Sequence, residues 1–224
     1  MAKVPHDSER ARSLMERVHL GEWDRALDAL SAEREAIAIY RRLTAATPGL
    51  YLAELATCLT SLGVTLSELG RPGEALHAEQ EAVAIHRSLA AASPEPHLPD
   101  LADALINLGT TLAALDRPDE ALSAEREAIA IYRRLAAAMP DPYLADFAEV
   151  LADLGVTLTE RGLPAEALPL VVEAVTIRRD LAAASPERHR AGLARSLGGL
   201  DAVLSALGRD ETARHPRPAA GEGP

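Results

Sequence analysis

The chain has 224 residues, of which 48% are apolar and only 3% aromatic, and its formal net charge at pH 7 is −11. This length supports one core or one elongated stack of repeats. So few aromatic residues disfavour a large β-sandwich or an enzyme pocket, whereas packing rich in Ala and Leu is typical of closely spaced helices. A chain this acidic does not attract a phosphate backbone through its overall field, so nucleic acid is not an expected partner.

No targeting or membrane segment is predicted. Residues 1–20 carry a charge every few positions and therefore lack the apolar segment of a signal peptide. No stretch approaches 18 uncharged apolar residues, so we expect no membrane span and no membrane partner. The single cysteine, Cys58, excludes an internal disulfide framework and a cysteine metal cluster. These features predict a cytoplasmic protein.

A step of 46 residues organises the chain. The segment SAEREAIAIYRRL at 31–43 recurs letter for letter at 123–135, and related segments fill 77–89 and 169–181. The same step separates four prolines, Pro48, Pro94, Pro140 and Pro186. Self-similarity at a fixed period of this size is the signature of a repeat architecture.

Each unit contains two predicted helices, because apolar residues step by three and four. In the unit 98–138, a stripe from Leu101 to Leu115 is followed by a break, and Pro118 opens a second helix. That helix ends before Pro140, because proline disfavours helical conformation in the residue that precedes it. The whole pattern predicts antiparallel helices near 8–20, 22–46, 53–69, 72–92, 98–115, 118–138, 144–161, 164–184 and 188–208.

Two motifs recur with the repeat. The first helices carry Leu, Leu-Gly and Leu in the order Leu59, Leu62-Gly63, Leu66; Leu105, Leu108-Gly109, Leu112; and Leu151, Leu154-Gly155, Leu158. The second helices carry paired alanines seven residues apart, at Ala29 and Ala36, Ala75 and Ala82, Ala121 and Ala128, and Ala167 and Ala174. Small residues at these places let helix axes approach closely.

In these motifs the chain resembles the tetratricopeptide repeat, in the long form found in bacterial and kinesin-light-chain-like variants. The resemblance implies an all-α fold, a right-handed α-solenoid of about four repeat units with a terminal capping helix. It divides the chain into a helical lead-in over 1–21, the solenoid over 22–208 and a disordered Pro- and Gly-rich tail over 209–224. A HEAT-type solenoid, which has a similar period, is the alternative.

The resemblance also implies a binding surface, because in this family the first helices line a concave groove that holds an extended peptide or a partner's helix. The implied groove residues are Thr57, Thr60, Ser61, Val64, Asp103, Ile106, Asn107, Thr110, Glu149, Asp153, Val156 and Arg195. Asn107 matches the asparagine with which many members bind a peptide's main chain, since an amide both donates and accepts.

The charge of this surface predicts its preference. The basic positions that bind a C-terminal carboxylate in chaperone-binding members have no basic residue in the three complete units. Asp103, Glu149 and Asp153 instead favour a neutral or basic segment, through charge-assisted hydrogen bonds. The alternative is a solvated acidic face without a specific ligand.

A row of carboxylates occupies a second-helix place where the family has an aromatic or other large packing residue. This acidic row consists of Glu33, Glu79 and Glu125, and the fourth copy has Val171. A carboxylate on a buried stripe must reach solvent or find an Arg or hydroxyl partner. Either the longer helices turn the row to the surface, or the row is an acidic ladder with a binding role.

No motif for chemistry is present. The sequence has no glycine-rich nucleotide motif and no His-Glu-x-x-His. His77 and Glu81 lie four residues apart on one helix, but two ligands are too few for a metal site. We therefore predict no catalytic residue, metal or cofactor, and a non-catalytic scaffold that binds a protein or peptide. The alternative is a structural or regulatory subunit, either a self-associating homo-oligomer or a sensor for an enzyme encoded elsewhere.

Overall fold

A computed structural model describes residues 3–19, 26–47 and 49–214. Within those ranges the chain forms nine α-helices and no β-strand. The helices are α1 (Lys3–His19), α2 (Ala26–Ala46), α3 (Leu52–Glu68), α4 (Pro72–Ala92), α5 (Pro94–Ala114), α6 (Pro118–Ala138), α7 (Pro140–Glu160), α8 (Pro164–Ala184) and α9 (Pro186–Arg214). The predicted helical pattern is confirmed, with earlier starts for α5, α7 and α9.

The prolines explain those earlier starts. Helices α5, α7 and α9 begin at Pro94, Pro140 and Pro186, so a single residue separates each from the preceding helix. The sequence predicts loops of several residues there. Proline is accommodated at the start of a helix, because the N–H groups of the first turn have no partner within the helix. Each of these prolines therefore prevents the preceding helix from continuing and begins the next helix.

The turn inside a helix pair contains a residue with positive φ. Gly70 has φ of +69°, Gly162 has +74°, and the equivalent place in the middle unit holds Asp116 with +57°. Directly after these residues, the backbone N–H of Arg71 donates to Leu66 O over 2.9 Å, as a Schellman-type helix end requires. The N–H of Arg117 donates in the same way to Leu112 O over 2.9 Å.

The last copy does not make this turn. Gly208 occupies the place equivalent to Gly162, yet α9 continues through it to Arg214. The sequence predicts a disordered tail over 209–224, whereas the segment is helical as far as Arg214. The rest of the predicted tail, 215–224, lies outside the described residues, as does the predicted boundary at 21–22.

The chain divides into two compact units, one up to Ile131 and one from Tyr132, so the division falls inside α6. In the first unit α1 packs on α2, α2 on α3, α3 on α4 and α4 on α5. Ala11 and Met15 of α1 belong to the same buried apolar cluster as residues of α2, α3 and α4. Helix α1 therefore packs against α2 as the first helix of a pair, although the sequence predicts only a lead-in for it.

The second unit is built from α7, α8 and α9, each of which packs on the other two. Its buried side chains include Leu151 and Leu158 of α7, Val171 of α8 and Val203 of α9. The capping helix predicted from the sequence is thus in place against the last helix pair.

The Leu-Gly motif marks the closest approach of the two helices in a pair. A Cβ built on Gly63 would lie 2.5 Å from Cγ of Glu79, and one on Gly109 would lie 3.1 Å from Cγ of Glu125. A Cβ on Gly155 would overlap Cγ2 of Val171. At Gly63 and Gly155 the second helix thus places a side chain where the Cβ would be, whereas at Gly109 a Cβ would be tight against Glu125. The predicted small alanines are likewise buried, among them Ala36, Ala75, Ala82, Ala121, Ala128, Ala167 and Ala174.

Exposed ion pairs connect successive second helices. Arg87 pairs with Glu127 over 2.9 Å, and Arg133 with Glu173 over 2.7 Å. Arg41 and Glu81 form the equivalent pair one repeat earlier. Pairs this exposed contribute at most about 1 kcal/mol each. They repeat with the step of the chain and so favour one register between neighbouring repeats.

We predict that Asp116→Gly stabilises the protein. A non-glycine residue at φ of +57° is strained, and glycine relieves that strain, although it adds freedom to the unfolded chain. The expected gain is about 0.5–1 kcal/mol, or a rise in Tm of roughly 1–4 °C in a chain of this size. Thermal unfolding followed by circular dichroism measures it. Gly162→Ala is the matched control, which should lower the Tm; a lower Tm for Asp116→Gly would contradict the prediction.

Candidate functional site

Helices α3, α4 and α5 line an open cavity of about 310 Å³. It is lined by Thr57, Thr60, Ser61, Val64, His86, Asp100 and Asp103. Five of these, the four on α3 and Asp103, are groove residues implied by the sequence. The structure therefore brings first-helix residues of two successive pairs to one concave site, and it adds His86 of α4 and Asp100 of α5.

The three hydroxyl groups of the cavity already use their hydrogens. Thr57 Oγ1 donates to Ala53 O over 3.0 Å, and Thr60 Oγ1 donates to Ala56 O over 3.1 Å. Ser61 Oγ donates to Glu33 Oε1 over 2.6 Å. Each hydroxyl oxygen keeps lone pairs. Toward the cavity these groups can accept hydrogen bonds but have no hydrogen left to donate.

His86 is the buried titratable group of this cavity, and sequence reasoning missed it. The side chain is only 2% exposed, and its Nδ1 has no hydrogen-bond partner among the described residues. Burial lowers the pKa of His86, with His97 acting in the same direction and Asp100 and Asp103 opposing. The imidazole is therefore neutral at pH 7.

The repeat step contains the signal that would have found His86. The same second-helix place holds Tyr40, Tyr132 and Arg178 in the other copies, and all four side chains are buried. A place that is polar in every copy and lies on an otherwise apolar helix stripe points toward the binding side of the repeat.

The remaining implied residues of α5 lie outside this cavity. Ile106 and Asn107 are half-buried, and Thr110 is exposed with its hydroxyl donating to Ile106 O over 3.1 Å. The side-chain amide of Asn107 forms no hydrogen bond with another residue in the part of the chain that the structure describes. It keeps both its donor and its acceptor for a ligand.

In the second unit the predicted groove residue Glu149 pairs with two arginines. Arg178 Nη2 donates to Glu149 Oε2 over 3.0 Å, and Arg195 Nη1 donates to Glu149 Oε1 over 3.2 Å. Burial and the neighbouring Glu149 raise the pKa of Asp153, which the two arginines oppose. Val156 is exposed. The negative charge of Glu149 is thus compensated within the chain.

Two members of the acidic row, Glu33 and Glu79, are buried. Glu33 is 0% exposed and Glu79 is 2% exposed, whereas Glu125 is half-buried. The interpretation that longer helices turn this row to the surface is therefore wrong for Glu33 and Glu79. Burial also raises the pKa of Glu79, against the effect of its hydrogen bond with Thr111.

Hydroxyl groups of the next first helix partner these carboxylates. Glu33 Oε1 accepts from Ser61 Oγ over 2.6 Å and from Thr65 Oγ1 over 3.0 Å. Glu79 Oε1 accepts from Thr111 Oγ1 over 3.0 Å. Each carboxylate thus joins the second helix of one pair to the first helix of the next pair. These hydrogen bonds offset part of the cost of burial, and they all go to Oε1, whereas Oε2 of Glu33 and Oε2 of Glu79 have no hydrogen-bond partner among the described residues.

The fourth copy replaces acceptor and donors together. Val171 stands where the acidic row has glutamate, and Val203 and Gly199 stand where Thr65 and Ser61 stand in the first linkage. Val171 and Val203 are buried, and a Cβ on Gly199 would lie 3.8 Å from Cγ1 of Val171. An apolar contact therefore takes the place of the hydrogen-bonded carboxylate at the last helix.

We predict that Val171→Glu destabilises the protein strongly, because Val203 and Gly199 offer a carboxylate no donor. The expected loss is about 3–5 kcal/mol in the free energy of unfolding, measured by urea denaturation. Thr111→Val alone should cost about 1–3 kcal/mol, since it removes the donor to buried Glu79.

The matched control is the double variant Glu79→Val with Thr111→Val, which copies the apolar pair of the last unit. It should recover most of the loss caused by Thr111→Val, giving a favourable coupling between the two sites. Additive losses in this cycle, or a Val171→Glu variant as stable as the parent, would contradict the proposed linkage.

Among the described residues, no further site for chemistry is formed by Cys58 or by potential metal ligands. Burial, together with Glu33 and Glu54, raises the pKa of the Cys58 thiol to about 12, so it is not a thiolate at neutral pH. Among the described residues, no group of three or more His, Cys, Asp or Glu side chains is placed to hold a metal ion. None of the described helices combines the length and apolar character needed to cross a membrane.

Comparison with solved structures shows the fold. The chain is similar to the nearly identical TPR-like repeats of a kinesin light chain from Podosopora anserina, with a TM-score of 0.65, 16% identity, and coverage of 96% of this chain and 92% of that one. It is also similar to BtubC (BKLC) from P. vanneervenii, with a TM-score of 0.55, 20% identity, and coverage of 100% of this chain and 95% of that one. No curated protein sequence matches the chain.

Family models give the assignment. One model described as tetratricopeptide repeat matches residues 85–134, and a second with the same description matches 55–93 and 147–185. Together these matches span more than half of the chain, and they coincide with the units marked by the Leu-Gly motif. The expected fold class, an all-α solenoid of antiparallel helix pairs, is confirmed. The chain belongs to the tetratricopeptide-repeat family.

Proposed function

We propose that the chain is a non-catalytic scaffold in the cytoplasm that binds a peptide segment of a partner protein across helices α3 and α5. Tetratricopeptide repeats generally serve as protein-interaction modules and are generally not catalytic. The observation that carries the finer proposal is the cavity of about 310 Å³, because the α3 and α5 residues that line it occupy the family's ligand-facing places.

The ordered state of the site supports binding. Thr57, Thr60 and Val64 lie on a helix that is packed on both sides, so the surface exists before a ligand arrives. Only the ligand then loses conformational freedom on binding, which favours affinity. An extended peptide offers main-chain N–H groups, and the hydroxyl oxygens of the cavity accept such hydrogen bonds.

The charge of the site supports a neutral or basic segment. Asp100 and Asp103 stand at one wall of the cavity, and no basic side chain lines it. An acidic peptide would bring like charges together in a partly desolvated site, which costs free energy. Asn107, on the same helix as the two aspartates, is available to bind the main chain on the same face.

We predict that Val64→Arg abolishes peptide binding. Peptides selected from a random display library on the full chain should bind this variant at least tenfold more weakly in fluorescence polarisation, because the long side chain fills the cavity. Ala84→Arg is the matched control, since Ala84 is exposed on α4 and does not line the cavity. Equal binding by both variants, or a library that yields no binder, would overturn the proposal.

A second candidate function, self-association as a structural or regulatory subunit, is favoured by the surface of α9. Leu197 and Leu204 are exposed and lie seven residues apart, hence on one face of the helix. In this case sedimentation should show a dimer whose fraction rises with concentration and falls on replacement of these leucines by aspartate. A monomer at all concentrations would exclude it.

A further inference from the structure

We propose that the open cavity lined by α3, α4 and α5 is a pocket for one basic side chain, a guanidinium or an ammonium group, with His86, Asp100 and Asp103 as its recognition residues. The pocket's chemistry stands on its own, and the identification of the side chain with one from a partner peptide rests on the proposed function.

The lining of the pocket is built to accept hydrogen bonds. The hydrogens of Thr57, Thr60 and Ser61 are used within the protein, as their bonds to Ala53 O, Ala56 O and Glu33 show. Ionised carboxylates act only as acceptors, because they carry no hydrogen to donate. A ligand group that consists of donors and carries positive charge satisfies such a lining, whereas a carboxylate or phosphate group finds no donor in it.

His86 is the independent observation that a ligand belongs here. The imidazole lines the cavity, is 2% exposed and has Nδ1 without a hydrogen-bond partner among the described residues. An unpartnered buried polar atom costs free energy in the ligand-free protein. With its proton on Nε2, the neutral imidazole keeps Nδ1 as an unused acceptor, and a donor from a bound side chain that reaches Nδ1 removes that cost.

The two carboxylates supply the counter-charge. Asp100 forms no hydrogen bond or ion pair with another residue in the described ranges, and both aspartates act electrostatically on His86. By contrast, Glu149 in the second unit is already paired with Arg178 and Arg195. Preference for a basic ligand is therefore assigned to the α3–α5 pocket rather than to Glu149.

The size of the pocket suits one side chain. About 310 Å³ lies at the lower end of the range of roughly 300–1,000 Å³ typical of small-ligand sites. A guanidinium group offers five donors in a plane, and an ammonium group offers three. Both satisfy the same acceptors, so the experiment compares them directly.

The test uses single-residue probes and the full chain. Nα-acetyl-arginine methylamide, the corresponding lysine derivative and the neutral citrulline derivative are titrated while the imidazole nitrogen signals are followed by ¹⁵N NMR. His86→Gln assigns the His86 signals. We expect the arginine or lysine probe to shift those signals with a saturable millimolar Kd and the citrulline probe to leave them unchanged. Equal shifts with citrulline, or none with either cation, would overturn the proposal.

Matched variants separate recognition from folding. Asp103→Asn and Asp100→Asn should each raise the Kd of the cationic probe at least threefold, whereas Asp180→Asn, an exposed aspartate on α8, should leave it unchanged. His86→Tyr should abolish binding with the fold retained, because the neighbouring copies carry Tyr40 and Tyr132 at that place. Unaltered affinity in all three pocket variants would overturn the assignment of the residues.

Binding should also depend on pH with a defined sign. The titratable groups that act on His86 are Asp100, Asp103 and His97 of α5, and the residues of α3 that line the cavity carry no charge. Burial lowers the pKa of His86, so the imidazole is neutral at pH 7 and becomes a cation as the pH falls through that pKa. A cationic probe should therefore bind more weakly at low pH, and His86→Gln should remove that dependence on imidazole protonation. Stronger binding at low pH would contradict the pocket.

The two proposals fail separately. If the cationic probes bind and the display library yields no peptide, the pocket stands and the peptide scaffold does not. If peptides bind in a manner sensitive to Val64→Arg but contain no basic residue and the probes do not bind, the scaffold stands and the basic pocket is overturned.

Discussion

The architecture depends on the approach of two helices at a glycine. Gly63 on the first helix of a pair leaves room for the side chain of Glu79 on the second helix, and any Cβ at this place would meet that side chain. Glu79 is 2% exposed, so a polar side chain in the space beside the glycine needs hydrogen-bond partners, and Glu79 finds one in Thr111 through Oε1. In this chain most copies fill this space with a carboxylate, and the first helix of the next pair must then carry a hydroxyl group as donor.

This requirement connects the stability of the stack with its binding surface. Ser61 belongs to the face implied for ligand binding, yet its hydroxyl donates to buried Glu33. Thr111 donates to Glu79 in the next linkage. Because Ser61 is committed to the carboxylate behind it, it turns only lone pairs toward the cavity. A structural feature of one repeat thereby determines the hydrogen-bonding character of the neighbouring surface.

The electrostatic character of the two units differs for a related reason. At the equivalent second-helix place, α4 carries His86 and α8 carries Arg178. Arg178 and Arg195 pair with Glu149, whereas the imidazole of His86 is neutral and adds no positive charge beside Asp100. Copies that are close in sequence therefore present different chemistry, because a single substitution at a buried polar place changes the charge balance of the whole site.

The sequence by itself determined the repeat step, the helix pairs, the Leu-Gly motif and the family, because each depends on local periodicity and on residue size. It also predicted a shared surface for Thr57, Thr60, Ser61, Val64 and Asp103 from the register of the repeat, and these residues line one cavity. Only the tertiary structure decided that Glu33 and Glu79 are buried and bonded to hydroxyls of the next pair. It likewise revealed His86 in the cavity and the arginine partners of Glu149. These contacts join residues 28 to 46 positions apart in the chain. Whether such a contact stabilises the fold depends on burial and distance, which a single sequence does not encode directly.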